Sequence, residues 1–161
     1  MSVTLVPIAE EAYRCYREGA VEEYTQTRIR SGDEPAFARR RAEEDYEMLL
    51  PEGIHSKGQH VYSIVAHGAG EPVGMVWFAM PGREGPESAY VYDFKIDEAH
   101  RRKGFAAAAL REVDALAASM GATRISLNVM GFNVGAQALY RQAGYEVVSI
   151  GMTKSLKAAA R

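Results

Sequence analysis

The sequence has little of what would tie it to a membrane, a metal or an oxidising compartment. Its 161 residues include one cysteine, Cys15, so no internal disulfide can form, and a reducing cytoplasm is the expected location. No run reaches the roughly 18 apolar residues that a membrane span needs, and residues 1–10 lack the pattern of a signal peptide. The four histidines show no metal-ligand spacing, so no metal is expected.

The charge balance excludes one further class of partner. With 19 basic and 21 acidic side chains the formal net charge is −2, so no general attraction to nucleic acid is expected. An anionic ligand would therefore need a local arrangement of donors. The composition, 47% hydrophobic and 25% charged, is typical of a globular protein. Because no internal repeat or low-complexity linker divides the chain, we expect one domain over residues 1–161.

The hydrophobic pattern changes its period along the chain, and clusters rich in glycine and proline separate the segments. The predicted helices cover residues 7–30, 35–50, 105–120 and 134–143. The predicted strands cover residues 2–6, 60–67, 73–80, 90–96, 123–130, 145–150 and 151–156. This order, β-α-α-β-β-β-α-β-α-β-β, predicts an α/β fold with a mixed central sheet flanked by helices.

The loop that follows the predicted strand 90–96 has the composition of an anion site. Arg101, Arg102 and Lys103 precede Gly104, where the next helix begins. The first N–H groups of a helix lack internal acceptors, and the helix dipole adds about half a positive charge beside them. Because Gly104 lets the backbone approach a ligand closely, the loop predicts a pyrophosphate site. The alternative is a solvated basic loop, although cations at a helix N-terminus oppose the dipole unless an anion lies between them.

Two ordered motifs, RRKGFA at 101–106 and NVGAQALYRQAGY at 133–145, resemble those of the GCN5-related N-acetyltransferase (GNAT) family. The first, RRKGFA at 101–106, is similar to Gln/Arg-x-x-Gly-x-Gly/Ala and has alanine at its last position. The second, within residues 133–145, is similar to Asn-x-x-Ala-x-x-Leu-Tyr-x-x-x-Gly-Phe, with Tyr145 in place of the usual phenylalanine. The strongest match covers about residues 90–156, inside a motif-bearing core of about 60–156.

The resemblance implies that acetyl-coenzyme A (acetyl-CoA) is the cofactor and that the acetyl group moves directly to an amine in a ternary complex. It also implies a sheet splayed between its fourth and fifth strands, with the pantetheine arm of the coenzyme paired to strand backbone in the splay. The residues that it implies for coenzyme binding are Phe94, Lys95, Ile96, Arg101, Arg102, Lys103, Gly104, Phe105, Ala106, Ala107, Asn133 and Tyr140.

Tyr140 and Asp93 are the candidate catalytic residues. The resemblance implies that Tyr140 protonates the departing thiolate; without the motif it would be read as a core tyrosine. The acceptor amine must lose a proton, and Asp93 or an ordered water is the candidate base. Strand alternation places Tyr92 and Phe94 on the opposite face from Asp93, and burial there would raise the pKa of Asp93. The alternatives for Asp93 are binding a cationic acceptor, facing solvent or pairing with an arginine.

The acceptor site is expected between the first two helices and the predicted hairpin, with Tyr24, Trp77, Tyr90 and Asp93 as candidate contacts. A small-molecule or peptide amine is the expected substrate, and its identity stays open. The alternatives are an enzyme acting on protein N-termini or lysines, a donor such as succinyl-CoA, and a non-catalytic coenzyme-binding module on the same fold. A homodimer is also left open, and neither a membrane nor a nucleic acid is expected as a partner.

Overall fold

The protein is built on a five-stranded mixed sheet in which chain order and spatial order coincide. The computed structural model describes residues 1–68 and 70–157. The strands are β1 (Val3–Pro7), β2 (Gln59–Ala66), β3 (Pro72–Ala79), β4 (Ser88–Ile96) and β5 (Arg124–Leu127), and the helices are α1 (Glu10–Arg30), α2 (Pro35–Leu49), α3 (Phe105–Ser119) and α4 (Val134–Gln142). Neighbouring strands are antiparallel except β4 and β5, which are parallel and joined through α3.

The first two helices have identifiable start and stop signals. α1 carries Glu10 and Glu11 in its first turn and two arginines in its last, which suits the helix dipole at both ends. α2 begins with Pro35, and the side chain of Glu34 accepts a hydrogen bond from the Phe37 N–H at 3.1 Å. Because the chain reverses between them, α1 and α2 pack side by side on one face of the sheet.

β3 is the most buried strand, and its side chains alternate between two cores. Met75 and Trp77 pack in the cluster formed with α1 and α2, whereas Val76 and Phe78 pack in the cluster formed with α3. A central strand covered on both faces reads as a nearly continuous apolar run, which is how residues 73–79 read in the sequence. The helices therefore sandwich the sheet, as the α/β prediction requires.

The chain departs from the predicted pattern mainly near its C-terminus. The strands predicted at 145–150 and 151–156 are not formed, and the strand predicted at 123–130 shortens to Arg124–Leu127. Their alternating pattern is real, but a strand forms only where a neighbour accepts its ladder bonds, and no described strand lies beyond β5. A smaller error concerns α1, which begins at Glu10 rather than at Pro7 because Pro7 ends β1 opposite Tyr62.

None of the helices in the described ranges, 1–68 and 70–157, combines the length and the apolar composition that crossing a bilayer takes.

Gly74 controls how closely β3 and β4 approach where β4 ends. It lies opposite Ile96 in the register, and a β-carbon there would overlap the Lys95 carbonyl oxygen and lie 3.0 Å from the Ile96 Cα. We therefore expect Gly74→Ala to lower the free energy of unfolding by about 1–3 kcal/mol in urea denaturation, as an overpacked site does.

Gly19→Ala is the matched control, because a β-carbon at that position in α1 meets nothing within 4 Å. It should leave the free energy of unfolding unchanged or raise it by roughly 0.5–1 kcal/mol. Equal stability of the two variants would contradict the close approach of β3 and β4.

Candidate active site

β4 and β5 separate halfway along β4, and this leaves a free backbone edge. The parallel ladder joins residues 88–91 to residues 124–127 and then stops. β4 continues to Ile96 on its other side, where Phe94, Lys95 and Ile96 pair with β3. The backbone groups of that stretch that point away from β3 therefore have no described strand to bond. The predicted splay between the fourth and fifth strands is confirmed.

A bulge in β4 places Tyr92 and Asp93 on the same side of the sheet. The register passes from Trp77 opposite Asp93 to Phe78 opposite Val91, so Tyr92 is an extra residue. The Tyr92 ring stacks on Trp77 with centroids 4.7 Å apart, within the core that α1 and α2 form. The prediction that Tyr92 faces away from Asp93 is therefore wrong, because strict alternation fails at a bulge.

The loop between β4 and α3 forms a cradle of backbone donors. The N–H groups of residues 102–107 donate to no acceptor in the described part of the chain, and the first bond of the helix is Ala108 N–H to the Gly104 carbonyl at 3.2 Å. Arg102 and Gly104 both take left-handed backbone conformations, with φ of 63° and 84°. Successive N–H groups in such a turn converge on one point and make a concave anion site.

Two of the three cations in the loop hold it in shape. Arg101 donates from Nε to the Ile96 carbonyl at 2.9 Å, and Lys103 donates from Nζ to the Ala99 carbonyl at 2.8 Å. Arg102 makes no comparable contact with the described residues and is exposed. These side chains therefore fix the backbone donors while adding positive charge around them.

Asp93 is a partly buried carboxylate held by a tyrosine of α1. Tyr16 donates its hydroxyl hydrogen to Oδ2 of Asp93 at 2.6 Å, and the Tyr16 oxygen lies 3.5 Å from the hydroxyl of Tyr46. Burial raises the pKa of Asp93, and the hydrogen bond from Tyr16 opposes that rise. Burial and the Asp93 charge also raise the pKa of Tyr16, so Tyr16 stays the donor at neutral pH.

Tyr140 lies on α4, the helix that follows β5, and Asn133 immediately precedes that helix. Asn133 caps the helix, with its side-chain oxygen accepting from the Ala136 N–H at 3.2 Å, and its amide NH2 group has no partner in the described ranges. Burial, with a smaller effect of the Asp93 charge, raises the pKa of Tyr140 to about 12. The two candidate catalytic residues, which are 47 positions apart in the chain, are thus within electrostatic reach of each other.

The candidate acceptor residues divide into a surface set and a buried support. Arg83 covers the Tyr90 ring, with its guanidinium carbon 4.4 Å from the ring centroid, and Tyr24 donates its hydroxyl hydrogen to Asp45 Oδ2 at 3.1 Å. Trp77 is only 2% exposed, and its indole N–H donates to Gln59 Oε1 at 2.7 Å. We call the surface formed by Tyr24, Tyr90 and Tyr92 the aromatic wall. Trp77 packs behind this wall, against Tyr92, and does not line its surface.

Three contributors to this site were not among the predicted residues. Tyr16 holds Asp93, Arg83 covers the rings of Tyr90 and Tyr92, and Glu23 of α1 forms an ion pair with Lys95. Each contact joins segments far apart in the chain or crosses a loop. The helical spacing of Tyr16 with its apolar neighbours marks it only as an inward-facing residue.

A family model supplies the identification. The model of the acetyltransferase (GNAT) family matches residues 10–145, a range that contains the splay, the cradle, Asp93 and Tyr140. The chain belongs to the GNAT acetyltransferase family.

The chain is also similar to two curated relatives and to two solved structures. The uncharacterized N-acetyltransferase YycN of Bacillus subtilis (strain 168) is 30% identical over 157 residues, which is 97% of this chain and 100% of YycN. The uncharacterized N-acetyltransferase YdgE of the same strain is 32% identical, over 97% of this chain and 99% of YdgE. The YycN crystal structure superposes with a TM-score of 0.90 over 98% of this chain and 100% of its own. AAC(6')-Iy, in complex with the bisubstrate analogue CoA-S-monomethyl-acetylneamine, shares the fold at 12% identity and a TM-score of 0.60, over 98% and 100% of the two chains.

GNAT proteins use acetyl-CoA, and the residues present here fit that molecule. Six unbonded N–H groups at the start of α3 suit a pyrophosphate, and the unpaired edge of β4 suits the amide groups of a pantetheine arm. The hydroxyl of Tyr140 lies on α4, and the amide of Asn133 lies at the start of that helix. The donor set matches a ligand that is anionic at one end and amide-rich in its middle.

Asp93 should leave a pH-dependent signature in the stability of this GNAT protein. Its pKa is higher in the folded state than in the unfolded chain, so the folded state binds more protons between those two values. Its stabilising contribution is thus fully present below about pH 4 and is lost as the pH rises through the folded-state pKa. We expect Asp93→Asn to gain stability relative to the wild type over that window, by about 1.4 kcal/mol for each unit of pKa elevation.

The measurement is urea denaturation of both proteins over a series of pH values. Asp97→Asn serves as the control, because Asp97 is an exposed carboxylate directly after the end of β4. A stability difference between wild type and Asp93→Asn that does not change with pH would contradict the buried position of the carboxylate.

Proposed function

We propose that this GNAT protein transfers an acetyl group from acetyl-CoA to a primary amine, by direct transfer while both substrates are bound. The observation that carries the proposal is the cradle at residues 102–107, whose N–H groups have no acceptors in the described chain, next to the unpaired edge of β4. Leaving so many backbone donors unbonded is costly unless a ligand or water bonds them. A diphosphate with an attached amide chain satisfies both features at once.

Coenzyme binding is assigned to backbone more than to side chains. The cradle amides of residues 102–107 bind the pyrophosphate, and Arg102 adds charge from the loop. Backbone groups of Phe94 and Ile96 bond the pantetheine arm as a neighbouring strand would. When bound, acetyl-CoA supplies an acetyl group activated as a thioester. Asn133 donates from its amide to the polar groups of the arm.

Asp93 is the group assigned to take a proton from the acceptor, directly or through a water molecule. A primary amine is mostly protonated at neutral pH, and only its neutral form has a lone pair for attack. The raised pKa of Asp93 makes its carboxylate a stronger base than an exposed aspartate. Tyr16 acts as a positioning residue, because its hydrogen bond fixes the Oδ2 oxygen of the carboxylate.

Tyr140 is assigned to donate its hydroxyl proton to the departing sulfur. Its raised pKa keeps it protonated at neutral pH, so the proton is present when it is needed. The negative charge of Asp93 contributes to this rise in the pKa of Tyr140. Once Asp93 has accepted a proton and lost its charge, the pKa of Tyr140 falls. This favours proton donation by Tyr140 at the following step.

The acceptor is assigned to the wall formed by Tyr24, Tyr90 and Tyr92, supported by Trp77. Aromatic faces attract cations, and an ammonium group is the protonated form of the proposed substrate. Arg83 now covers the rings of Tyr90 and Tyr92, so an acceptor must displace it or bind beside it. A small-molecule or peptide amine with its ammonium group near Asp93 meets this arrangement.

The test of the function is release of free thiol from acetyl-CoA in the presence of polyamines, amino acids, aminoglycosides and peptides, each with the wild type and with Gly104→Ala. Gly104 has a φ of 84°, and alanine there strains the cradle. We expect thiol release with at least one amine class, and at least about tenfold weaker coenzyme binding by Gly104→Ala in calorimetry.

Gly121→Ala is the matched control, because Gly121 has a φ of 98° just past the other end of α3 and nothing lies within 4 Å of its added β-carbon. It carries similar strain without touching the cradle. Coenzyme binding without thiol release from any amine would make the protein a binding module, and no binding by the wild type would overturn the whole assignment.

Tyr140→Phe should slow turnover by roughly 100-fold or more, since a general acid contributes about 10²–10⁴. Coenzyme affinity should stay close to that of the wild type, because only a hydroxyl is removed. The measurement is kcat by thiol release, alongside calorimetry with coenzyme A.

Tyr145→Phe is the control for that experiment, since its ring lies 5.5 Å from that of Tyr140 and it loses the same group. Turnover by Tyr145→Phe should stay near the wild-type value. If Tyr140→Phe retains full activity, another group supplies the proton.

A further inference from the structure

Arg83 is an exposed cation on the acceptor side of the sheet that pairs with no carboxylate in the described chain. It lies in the loop between β3 and β4, and its guanidinium carbon is 4.4 Å from the centroid of the Tyr90 ring and 5.3 Å from that of Tyr92. The adjacent carboxylate, that of Glu84, bonds to Arg124 Nε instead, at 2.7 Å. The charge of Arg83 is therefore available to a ligand.

The guanidinium of Arg83 also keeps its hydrogen-bond donors available. Its Nη1 atom lies 3.5 Å from the Tyr90 hydroxyl, which is longer than an ordinary hydrogen bond. A guanidinium that lies on an aromatic ring still presents N–H groups in its own plane, and these form a fork that matches the two oxygens of a carboxylate. The rings of the aromatic wall thus support Arg83 while its fork stays free for an anionic group.

The acidic side chains in the middle of α1 and α2 are already paired with cations of the protein itself. The pairs are Glu22 with Arg39, Glu23 with Lys95, Glu43 with Arg39, Glu44 with Arg41, and Asp45 with Arg41 and Arg28. An acceptor with several ammonium groups would need free carboxylates to bind them, and it would be repelled by the unpaired charge of Arg83. The charges of this face therefore favour an acceptor that is not polycationic.

Asp93 supplies the opposite charge on the same face of β4. The bulge turns Tyr92 and Asp93 toward α1 and α2, and Arg83 covers the ring of that same Tyr92. Asp93 accepts a hydrogen bond from Tyr16 and forms no ion pair with Arg83 or another cation in the described ranges. The covered residues 90–92 precede Asp93 by about 3–10 Å at the rise of an extended strand. Two opposite charges, not paired with each other, thus lie a short way apart on one surface.

We propose that Arg83 binds a carboxylate of the acceptor, so that the substrate class is a primary amine that carries a carboxylate several bonds away, as in an ω-amino acid or the side-chain amine of an amino acid. The inference rests on the proposed acetyl transfer and names its substrate. The carboxylate bonds to the fork of Arg83, while the ammonium group at the other end of the acceptor approaches Asp93. Arg83 stays on its rings, and the acceptor binds beside it rather than in its place.

The test compares matched acceptors by thiol release from acetyl-CoA. A series of ω-amino acids of increasing length is measured beside ω-aminoalkanols of the same length, which have the same amine and no carboxylate. At the length with the highest turnover, the wild type should prefer the acid by at least about tenfold in kcat/KM, the low end for a hydrogen bond to a charged group. Equal use of the two series would overturn the role of Arg83 and leave acetyl transfer intact, whereas thiol release with no amine would overturn both.

Substitutions of Arg83 test whether this residue is the source of the preference. Arg83→Gln should remove it, chiefly through a higher KM for the acid, and Arg83→Glu should reverse it, so that the diamine of the same length is used better than the acid. Arg83→Lys should keep part of it, because lysine retains the charge without the fork. Coenzyme affinity in calorimetry should stay at the wild-type value in each variant.

Arg111→Gln is the matched control, since it removes the same charge from an exposed position on α3. It should keep the wild-type ratio of kcat/KM between acid and alkanol. An unchanged ratio in Arg83→Gln, or an equal loss of the ratio in both glutamine variants, would overturn the proposal.

Two dipeptides, one with a free and one with an amidated C-terminus, separate the possible sources of the carboxylate. A preference confined to the ω-amino acids assigns a free amino acid to the site, and an equal preference for the free dipeptide assigns the end of a short peptide. Either result supports the carboxylate site at Arg83, and a preference in neither set refutes it.

Discussion

The parting of β4 from β5 is the constraint on which the candidate site depends. Parallel strands that stay paired would hide the second half of β4 in a ladder, whereas here the ladder ends at Val91 and the strand runs on to Ile96. The chain then turns directly into the cradle at the start of α3. One break in pairing therefore supplies both the free edge and the room in front of the helix. We propose that these two features serve one extended ligand.

The bulge in β4 directly follows Val91, the residue at which β4 stops pairing with β5. It turns Tyr92 and Asp93 toward α1 and α2 together, so that a carboxylate and an aromatic surface share one face. Keeping Asp93 there costs stability, because burial disfavours its charged form. Tyr16 offsets part of that cost through its hydrogen bond. A partly buried carboxylate with a raised pKa is the kind of group that we propose for the acid–base chemistry of this site.

β5 has two different edges. Its inner edge pairs with β4 for four residues and then leaves it, which opens the site. Its outer edge pairs with no described strand and lines a groove that also contains Tyr140.

The sequence by itself determined the order of the elements as far as α4, the central sheet flanked by helices and the position of the cradle, because these follow from local signals: hydrophobic period, helix starts and the loop before Gly104. It also pointed to Asp93 and Tyr140 through motif and strand context, and their catalytic roles stay predictions. Only the tertiary structure decided which side Tyr92 takes, because a bulge depends on the register between two strands. The pairing of Tyr16 with Asp93 joins residues 77 positions apart, so no local pattern encodes it. The predicted C-terminal strands failed for a related reason: alternation gives a segment the capacity to be a strand, but a neighbour with open backbone groups must complete it.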